Sequence, residues 1–497
     1  MVADICYINI MNKTNERKNA LDILTDIKNG VPSQTALQNM AAYVKAGEIP
    51  VRISDRSKAR EKKAGHTNPA DLDKRSRSFI TRLVYGTLEN YLYLDFIISE
   101  FTGKPVTKLK PFIATLLELS VYQLLFMDSV PEHAVVNEAV RIVQNSPQRG
   151  LKGFVNGVLR NIARNRDNLP EPEGDEKQKL SVKYSVPDFI INIISDELHM
   201  LEYNNRSYIT ASEHNSSKLR DFPADTLPGN DADTLHEKTE TVLRALRETR
   251  PLTIRCNTSL ITPDKLCERL VSDGVNVRQD EDLPEYLMFI SGFDSPVSLD
   301  SFKEGYFYVQ DTGSILSSAV SDFKPGERVL DLCGAPGGKA IGAALAGAVV
   351  ETGDISEAKT DLIKQNIARL KLNNISVNVR DALSFDPSLE NGFDAVICDV
   401  PCSGIGIIGR KPDICMNLTS ERIESLIPLQ RSILETAVKY VKPGGRLIFS
   451  TCTIDHRENE ENGKLLEEMG LKTVFEKQWI PGIDGNTDGF YTKILKK

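Results

Sequence analysis

Two cysteines near the carboxyl-terminal end, Cys402 in DVPCSGIG and Cys452 in FSTCTID, each follow a short apolar segment with strand character. A thiolate is the side chain best suited to add to an electron-poor ring carbon, because it is strongly nucleophilic once its pKa is lowered. Cytosine C5 is a poor nucleophile until a group adds to C6 and turns the ring into an enamine. After an electrophile has been taken up at C5, the C5 proton must leave before the adduct can be eliminated. One thiol to add and a second to accept that proton would serve such a cycle, and Asp399, three residues before Cys402, can donate or hold a proton at N3. Residue type and spacing leave open which thiol does which.

An electrophile must be held beside such a pair. DLCGAPGGK, Asp331 to Lys339, follows a strand-like run and opens a helix-like one. Its glycines allow a tight turn and close backbone approach, while a helix start offers oriented N–H groups. A Walker A loop aligned on Gly338 and Lys339 fails twice, with Cys333 at the first glycine position and Ala340 at the Ser/Thr position. A GxGxxG dinucleotide fingerprint is absent. Asp354 closes the next strand-like run, where a carboxylate can accept two ribose hydroxyls, and Asp381 follows the third, placed to take an adenine amino group. A nucleoside carrying a methyl sulfonium, S-adenosylmethionine, fits that succession. The tetrad Asp399-Val400-Pro401-Cys402 has a thiol where an amino-group methyltransferase carries an aromatic ring, which points to carbon as the methylated atom.

The elements that must position these residues follow from periodicity. From Glu327 onward strands and helices alternate, as in a parallel sheet with crossover helices, with strands in ERVLDLC, AVVETGDI, ISVNV, FDAVICD and GRLIFST. The strands ending at Asp399 and before Cys452 are expected to be neighbours. This predicts a Rossmann-like α/β catalytic domain over 301–497. Upstream, LTIRCN, EYLMFI and YFYVQ read as strands, with a helix at Pro263 to Asp273, and suggest a small α+β domain over 181–300. Residues 204–236 are polar and acidic and read as a loosely ordered insertion. NLPEPEGDEKQ marks a linker over 168–180. Residues 1–167 read as an all-α domain, with apolar residues at helical spacing in Ala20, Leu21, Ile23, Leu24 and Ile27 and again in Phe79, Ile80, Leu83, Val84 and Leu88. Within it, the stretch 46–74 reads as a polar loop.

A chain of 497 residues with 40% hydrophobic and 26% charged residues has the composition of a soluble multidomain protein. The longest apolar run, Ala340 to Val350, is broken by glycines and too short to span a bilayer. The start of the chain lacks a secretory pattern, so a cytoplasmic protein is expected. Met11 opens a better helix-forming segment than Met1, and the first ten residues are expected to be a tail or to precede the true start. Eight cysteines without a CxxC pair or a Cys/His cluster predict neither a disulfide framework nor a metal site. Cys6, Cys256, Cys267, Cys398 and Cys415 are expected to pack as small hydrophobes. The net charge of −8 is unusual for a nucleic-acid binder, but ten basic residues face four acidic ones between Arg52 and Arg82.

These motifs together resemble the RNA cytosine-C5 methyltransferases of the NOL1/NOP2/Sun class: DLCGAPGGK, DVPCSGIG with RKPDI, and STCT followed by Glu458 and Asn459. FITRLVYGTLEN, VYQLLFMDSVPEHAVVNEAV and KGFVNGVLRNIAR resemble the NusB antitermination factor. The combination is similar to the branch of that class acting on 16S ribosomal RNA. The resemblance implies S-adenosylmethionine bound by Cys333, Gly334, Ala335, Pro336, Gly337, Gly338, Lys339, Asp354, Asp381 and Asp399. It implies Cys452 as nucleophile and Cys402 as the releasing thiol. It also implies a monomer binding RNA through the helical and small domains, with Arg410 and Lys411 as candidate contacts and the target cytosine unstacked. Gly334, Ala340 and Gly409 depart from the class, which more often has Ala, Thr and a basic residue there. Two alternatives stay open: the same chemistry on transfer RNA or another ribosomal position, and a non-catalytic RNA-binding assembly factor.

Overall fold

The computed structural model describes residues 16–40, 74–203 and 232–497, apart from 249, 282, 284, 285, 294 and 486. Cys6, the alternative start at Met11, most of the 46–74 loop and residues 204–231 lie outside the described residues. So do six of the ten basic residues between 52 and 82. The chain divides into two compact units, Met1–Ile191 with Ile408–Asn417, and Asn192–Ile407 with Leu418–Lys497.

The first unit is helical. The helix Pro111–Phe126 starts on a proline, whose fixed φ suits a first turn, and every residue from Ile113 to Leu124 is buried. It is the hub against which the others pack. The helix Lys152–Arg164 shows the pattern of a helix covering a core with one face: Val155, Val158, Leu159 and Ile162 are buried at helical spacing. Ala20, Leu21, Leu24, Leu83, Leu117 and Leu159 join one continuous core. Glu118, 1% exposed, is satisfied by the Lys28 ammonium.

The expected linker is shorter than its composition suggested. A helix, Glu176–Tyr184, begins inside it, because Asp175 accepts the Gln178 N–H and Gln178 reaches back to the Asp175 N–H. This D-x-x-Q capping box was present in the sequence and outweighs the charged, proline-rich look of the segment.

The second unit holds two sheets. The smaller is antiparallel, with β1 (Leu252–Cys256), β2 (Asn276–Gln279), β3 (Leu287–Ser291) and β4 (Phe307–Val309) in the order β2-β3-β1-β4. β2 was not expected, since its polar NVRQ is exposed or half-buried along its length. β4 pairs with β1, so the small sheet takes a strand from beyond residue 300. The helix Ala232–Arg247 corrects the end of the polar insertion: its last five residues, 232–236, are already helical, and Val242, Leu243 and Leu246 anchor the helix in apolar surroundings.

The larger sheet contains β5 (Arg328–Asp331), β6 (Val349–Asp354), β7 (Ile375–Val379), β8 (Phe393–Asp399), β9 (Val441–Thr451), β10 (Lys472–Trp479) and β11 (Phe490–Lys496). Its order is β10-β11-β9-β8-β5-β6-β7. The five expected strands run parallel, as alternation with helices requires. β10 and β11 are an antiparallel addition that the pattern did not mark. The reason lies in β11, where Thr492 and Lys493 are buried among apolar neighbours and break the expected run. Lys493 is tolerated there because Glu467 and Glu476 lie 2.8 and 3.0 Å from its Nζ. Central β8 has Ala395, Val396, Ile397 and Cys398 all fully buried, as expected of a strand covered on both faces. Among the described residues no helix is long and apolar enough to cross a membrane.

Candidate active site

The parallel register of β8 and β9 sets Asp399 opposite Ser450. The chain leaves both strands in the same direction, so the segments carrying Cys402 and Cys452 emerge side by side. Their Sγ atoms are 3.3 Å apart, within hydrogen-bonding distance for sulfur. The Gly406 N–H donates to the Cys452 carbonyl at 3.1 Å and fastens one segment to the other. As residues, Cys402 and Cys452 are half-buried, whereas Cys398 on β8, like Cys256 and Cys415, is buried. The Cys402 thiol is pushed well above the usual range, first by its hydrogen bond with Cys452, then by burial and by the charges of Glu458 and Asp399.

Asp399 sits between the thiols and the glycine-rich loop. Its Oδ2 accepts from Lys339 Nζ at 2.5 Å and its Oδ1 from the Ser450 hydroxyl at 3.0 Å. Lys339, in the expected cofactor loop, has a buried side chain, with Nζ on Asp399 and 4.9 Å from the centre of the Phe490 ring. Asp331, beneath the loop, is 1% exposed. Burial pushes its carboxyl up to about 7, against the nearby Lys339 ammonium and the N–H groups of Cys333 and Ala340.

The loop itself is held by backbone contacts. Gly334 N–H donates to the Gly353 carbonyl at 2.8 Å, and the Pro336 carbonyl accepts from the Tyr308 hydroxyl and the Asn366 amide. Gly337 has φ +113°, a conformation that L side chains rarely adopt, and turns the chain into the helix Gly338–Leu345. The Cys333 thiol is pushed upward, chiefly by burial, and is no candidate nucleophile. At the end of β6, Asp354 Oδ1 accepts the Ser356 N–H at 3.2 Å, with Lys359 3.4 Å away. Beyond β7, Asp381 accepts the Leu383 N–H. These residues suit S-adenosylmethionine: backbone N–H groups at a helix start for its carboxylate, and a carboxylate at the end of the second strand for its ribose. When bound there it supplies an electrophilic methyl group.

Gly334 has a neighbour that explains its departure from alanine. A Cβ there would fall 2.0 Å from Thr352 Oγ1, and Thr352 is buried, its hydroxyl without a hydrogen-bond partner among the described residues. Thr352 occupies the space that an alanine would use. Gly334→Ala is expected to cost about 1–3 kcal/mol of stability and to weaken donor binding, as overpacking does. Thr352→Ala added to it restores most of both. Thermal melts and calorimetric titration with S-adenosylmethionine across the four proteins measure this; strictly additive effects would show that the two side chains do not compete.

Arg410 and Lys411 lie in Ile408–Asn417, the segment that packs with the helical unit. Asp413 in the same RKPDI run accepts the backbone N–H and hydroxyl of Ser33, Tyr91 donates to the Cys415 carbonyl, and Asn417 donates to the Ile27 carbonyl. Asp413 is therefore an anchor. Of the basic cluster, Arg75 and Arg77 are exposed on the helix Lys74–Glu89. Several site residues carried no sequence signal of their own: Ser450, Phe490, Gln430 and Asn462. Glu458 and Asn459 were marked only by resemblance.

A doubly wound sheet with a glycine-rich loop after its first strand, acidic residues after the second and fourth, and acceptor-side groups beside them defines an S-adenosylmethionine-dependent methyltransferase. The family model described as 16S rRNA methyltransferase RsmB/F matches residues 319–492, and the NusB family model matches residues 14–164. The probable ribosomal RNA small subunit methyltransferase B of Bacillus subtilis (strain 168) is 30% identical over 398 residues, 79% of this chain and 80% of that one. The ribosomal RNA small subunit methyltransferase B of Pectobacterium carotovorum is 26% identical over 443 residues, 86% and 92% of the two chains. The crystal structure of PH0851 shares the fold, with TM-score 0.72, 23% identity and coverage of 97% and 99%. The chain belongs to the RsmB/F family of 16S rRNA methyltransferases and carries an N-terminal NusB domain.

Proposed function

We propose that the chain methylates C5 of one cytosine in small-subunit ribosomal RNA through a covalent adduct between Cys452 Sγ and C6, with Cys402 taking the C5 proton. The observation that carries this reading is the 3.3 Å contact of the two thiols, beside Asp399 and the donor loop. The order of roles rests on the resemblance of DVPCSGIG and STCT to the RNA cytosine-C5 methyltransferase class. Cys452 Sγ attacks C6 as the thiolate, the nucleophilic form of the side chain. Asp399, backed by Lys339, holds the proton at N3 while the ring carries charge. Methyl transfer to C5 follows. Cys402, as the thiolate, then accepts the proton on C5. Elimination of Cys452 restores the aromatic ring.

The test is bisulfite sequencing of total RNA from cells lacking the protein, with and without the parent gene restored. One 16S cytosine is expected to lose and regain its methyl group. Change confined to transfer RNA would move the substrate, and no change at any cytosine would leave an assembly factor. We also propose that the chain acts as a monomer, since the two thiols, Asp399 and the donor loop all come from one unit of one chain.

A further inference from the structure

The two thiol-bearing segments are held by different side chains, and those side chains are adjacent in sequence. Glu458 and Asn459 follow Cys452 on the turn leading into the helix Glu460–Glu468, and both are 0% exposed. Glu458 turns toward the Cys402 segment. Its Oε2 accepts the Ser403 N–H at 2.9 Å and the Gln430 amide at 2.8 Å, and the same Gln430 Nε2 donates to the Pro401 carbonyl at 3.0 Å. The backbone is thus gripped on each side of Cys402. Asn462 fixes Gln430 in turn, donating to its Oε1 at 2.9 Å.

Asn459 turns toward the Cys452 segment. Its Oδ1 accepts the Thr451 hydroxyl at 2.5 Å, and its Nδ2 donates to the Thr453 carbonyl at 3.1 Å and to Gln478 Oε1 at 2.7 Å. The chain is gripped on each side of Cys452, at Thr451 through its hydroxyl and at Thr453 through its carbonyl. A hydroxyl pair, Ser403 and Thr453 at 2.8 Å, ties one segment to the other. Glu458 Oε1 has no hydrogen-bond partner among the described residues, so the grip on the Cys402 segment runs through Oε2 alone; a reacting atom displaced by about 1 Å loses much of its rate.

We propose that these neighbours are positioning residues with divided duties: Asn459 holds Cys452 for attack on the base, and Glu458, through Ser403 and Gln430, holds Cys402 for release. The inference rests on the roles proposed above for the two thiols.

Full-length variants are mixed with in vitro transcribed 16S rRNA and S-adenosylmethionine. Methyl transfer and RNA-linked protein on a denaturing gel are both read. Cys402→Ala sets the scale for trapped adduct. Glu458→Ala is expected to slow turnover about tenfold or more while adduct builds up above the parent level. Glu458→Gln, which keeps an oxygen acceptor for both donors, recovers most of the turnover. Gln430→Ala frees the Pro401 carbonyl and takes one donor from Glu458 while leaving the Ser403 contact in place, acts in the same direction, and decides the matter if Glu458→Ala does not fold. Asn459→Ala is expected to lose adduct and product together, and Thr451→Val does the same to a smaller extent. Build-up of adduct in Asn459→Ala, or parallel loss of adduct and product in Gln430→Ala and Glu458→Ala, overturns the division of duties. If Cys402→Ala itself traps no adduct, the assignment of the thiols falls first; if it does and the Glu458 and Gln430 variants do not, the division of duties alone falls.

Discussion

Replacing Cys452 by alanine is expected to remove product and covalent adduct alike, with turnover down by about a thousandfold or more, the scale on which enzymes lose rate when a nucleophile is deleted. Replacing Cys402 is expected to leave attack and methyl transfer in place and to stop the cycle afterwards, with the RNA still bonded to Cys452. Two sulfur atoms 3.3 Å apart can reach adjacent carbons of one ring, and the contrast between them is what the family resemblance implies. A denaturing gel of each variant with labelled 16S rRNA reads it directly. If the phenotypes were exchanged, the roles of the thiols would be reversed while the reaction class stood.

The second large effect is expected at a residue that touches no substrate. A Cβ on Gly406 would lie 2.0 Å from the Gly489 carbonyl oxygen and 2.5 Å from its carbon, both backbone atoms that cannot rotate away. The two glycines are already joined, Gly489 N–H to the Gly406 carbonyl at 2.9 Å, and Gly406 N–H holds the Cys452 carbonyl. Gly406→Ala must therefore move backbone attached to the Cys452 segment or to the start of β11. It is expected to destabilise by about 3 kcal/mol, at the upper end for overpacking. Turnover should fall by more than the loss of folded protein explains, since the nucleophile's own segment is displaced. Scanning calorimetry with methyl-transfer assays checks this; a variant with the parental melt and rate would show that the glycine pair has slack.

Much of the catalytic half was legible because its signals are local. Most of the parallel strands announce themselves by apolar runs, and Asp399, Cys402, Cys452 and the donor loop stand at or just past strand ends, where an α/β sheet does its chemistry. What stayed hidden depends on contacts distant in sequence. Lys339 belongs to a loop motif, but only the fold turns its ammonium onto Asp399, sixty positions away. β10 and β11 escaped because buried Lys493 and Thr492 imitate a surface pattern. Gln430 lies mid-helix among other polar residues, and nothing nearby distinguishes it from a solvated glutamine. The helix from Ala232 was hidden by the polar stretch before it, and the helix from Glu176 by a proline-rich approach, although its capping box was in plain sight.

The ten residues Ile408–Asn417 carry a consequence for how such a protein can be dissected or shuffled. They belong with the helices, while the chain on either side of them belongs to the other unit. No single scission therefore separates the two units. A fragment beginning after Ile191 would keep this short segment without its partners, leaving Met416 without the helical core it packs against and the Asp413 carboxylate without the Ser33 donors. A gene rearrangement that adds or removes the helical unit has to edit two distant stretches of coding sequence together, so inheritance of the two parts is linked by packing as well as by their common reading frame.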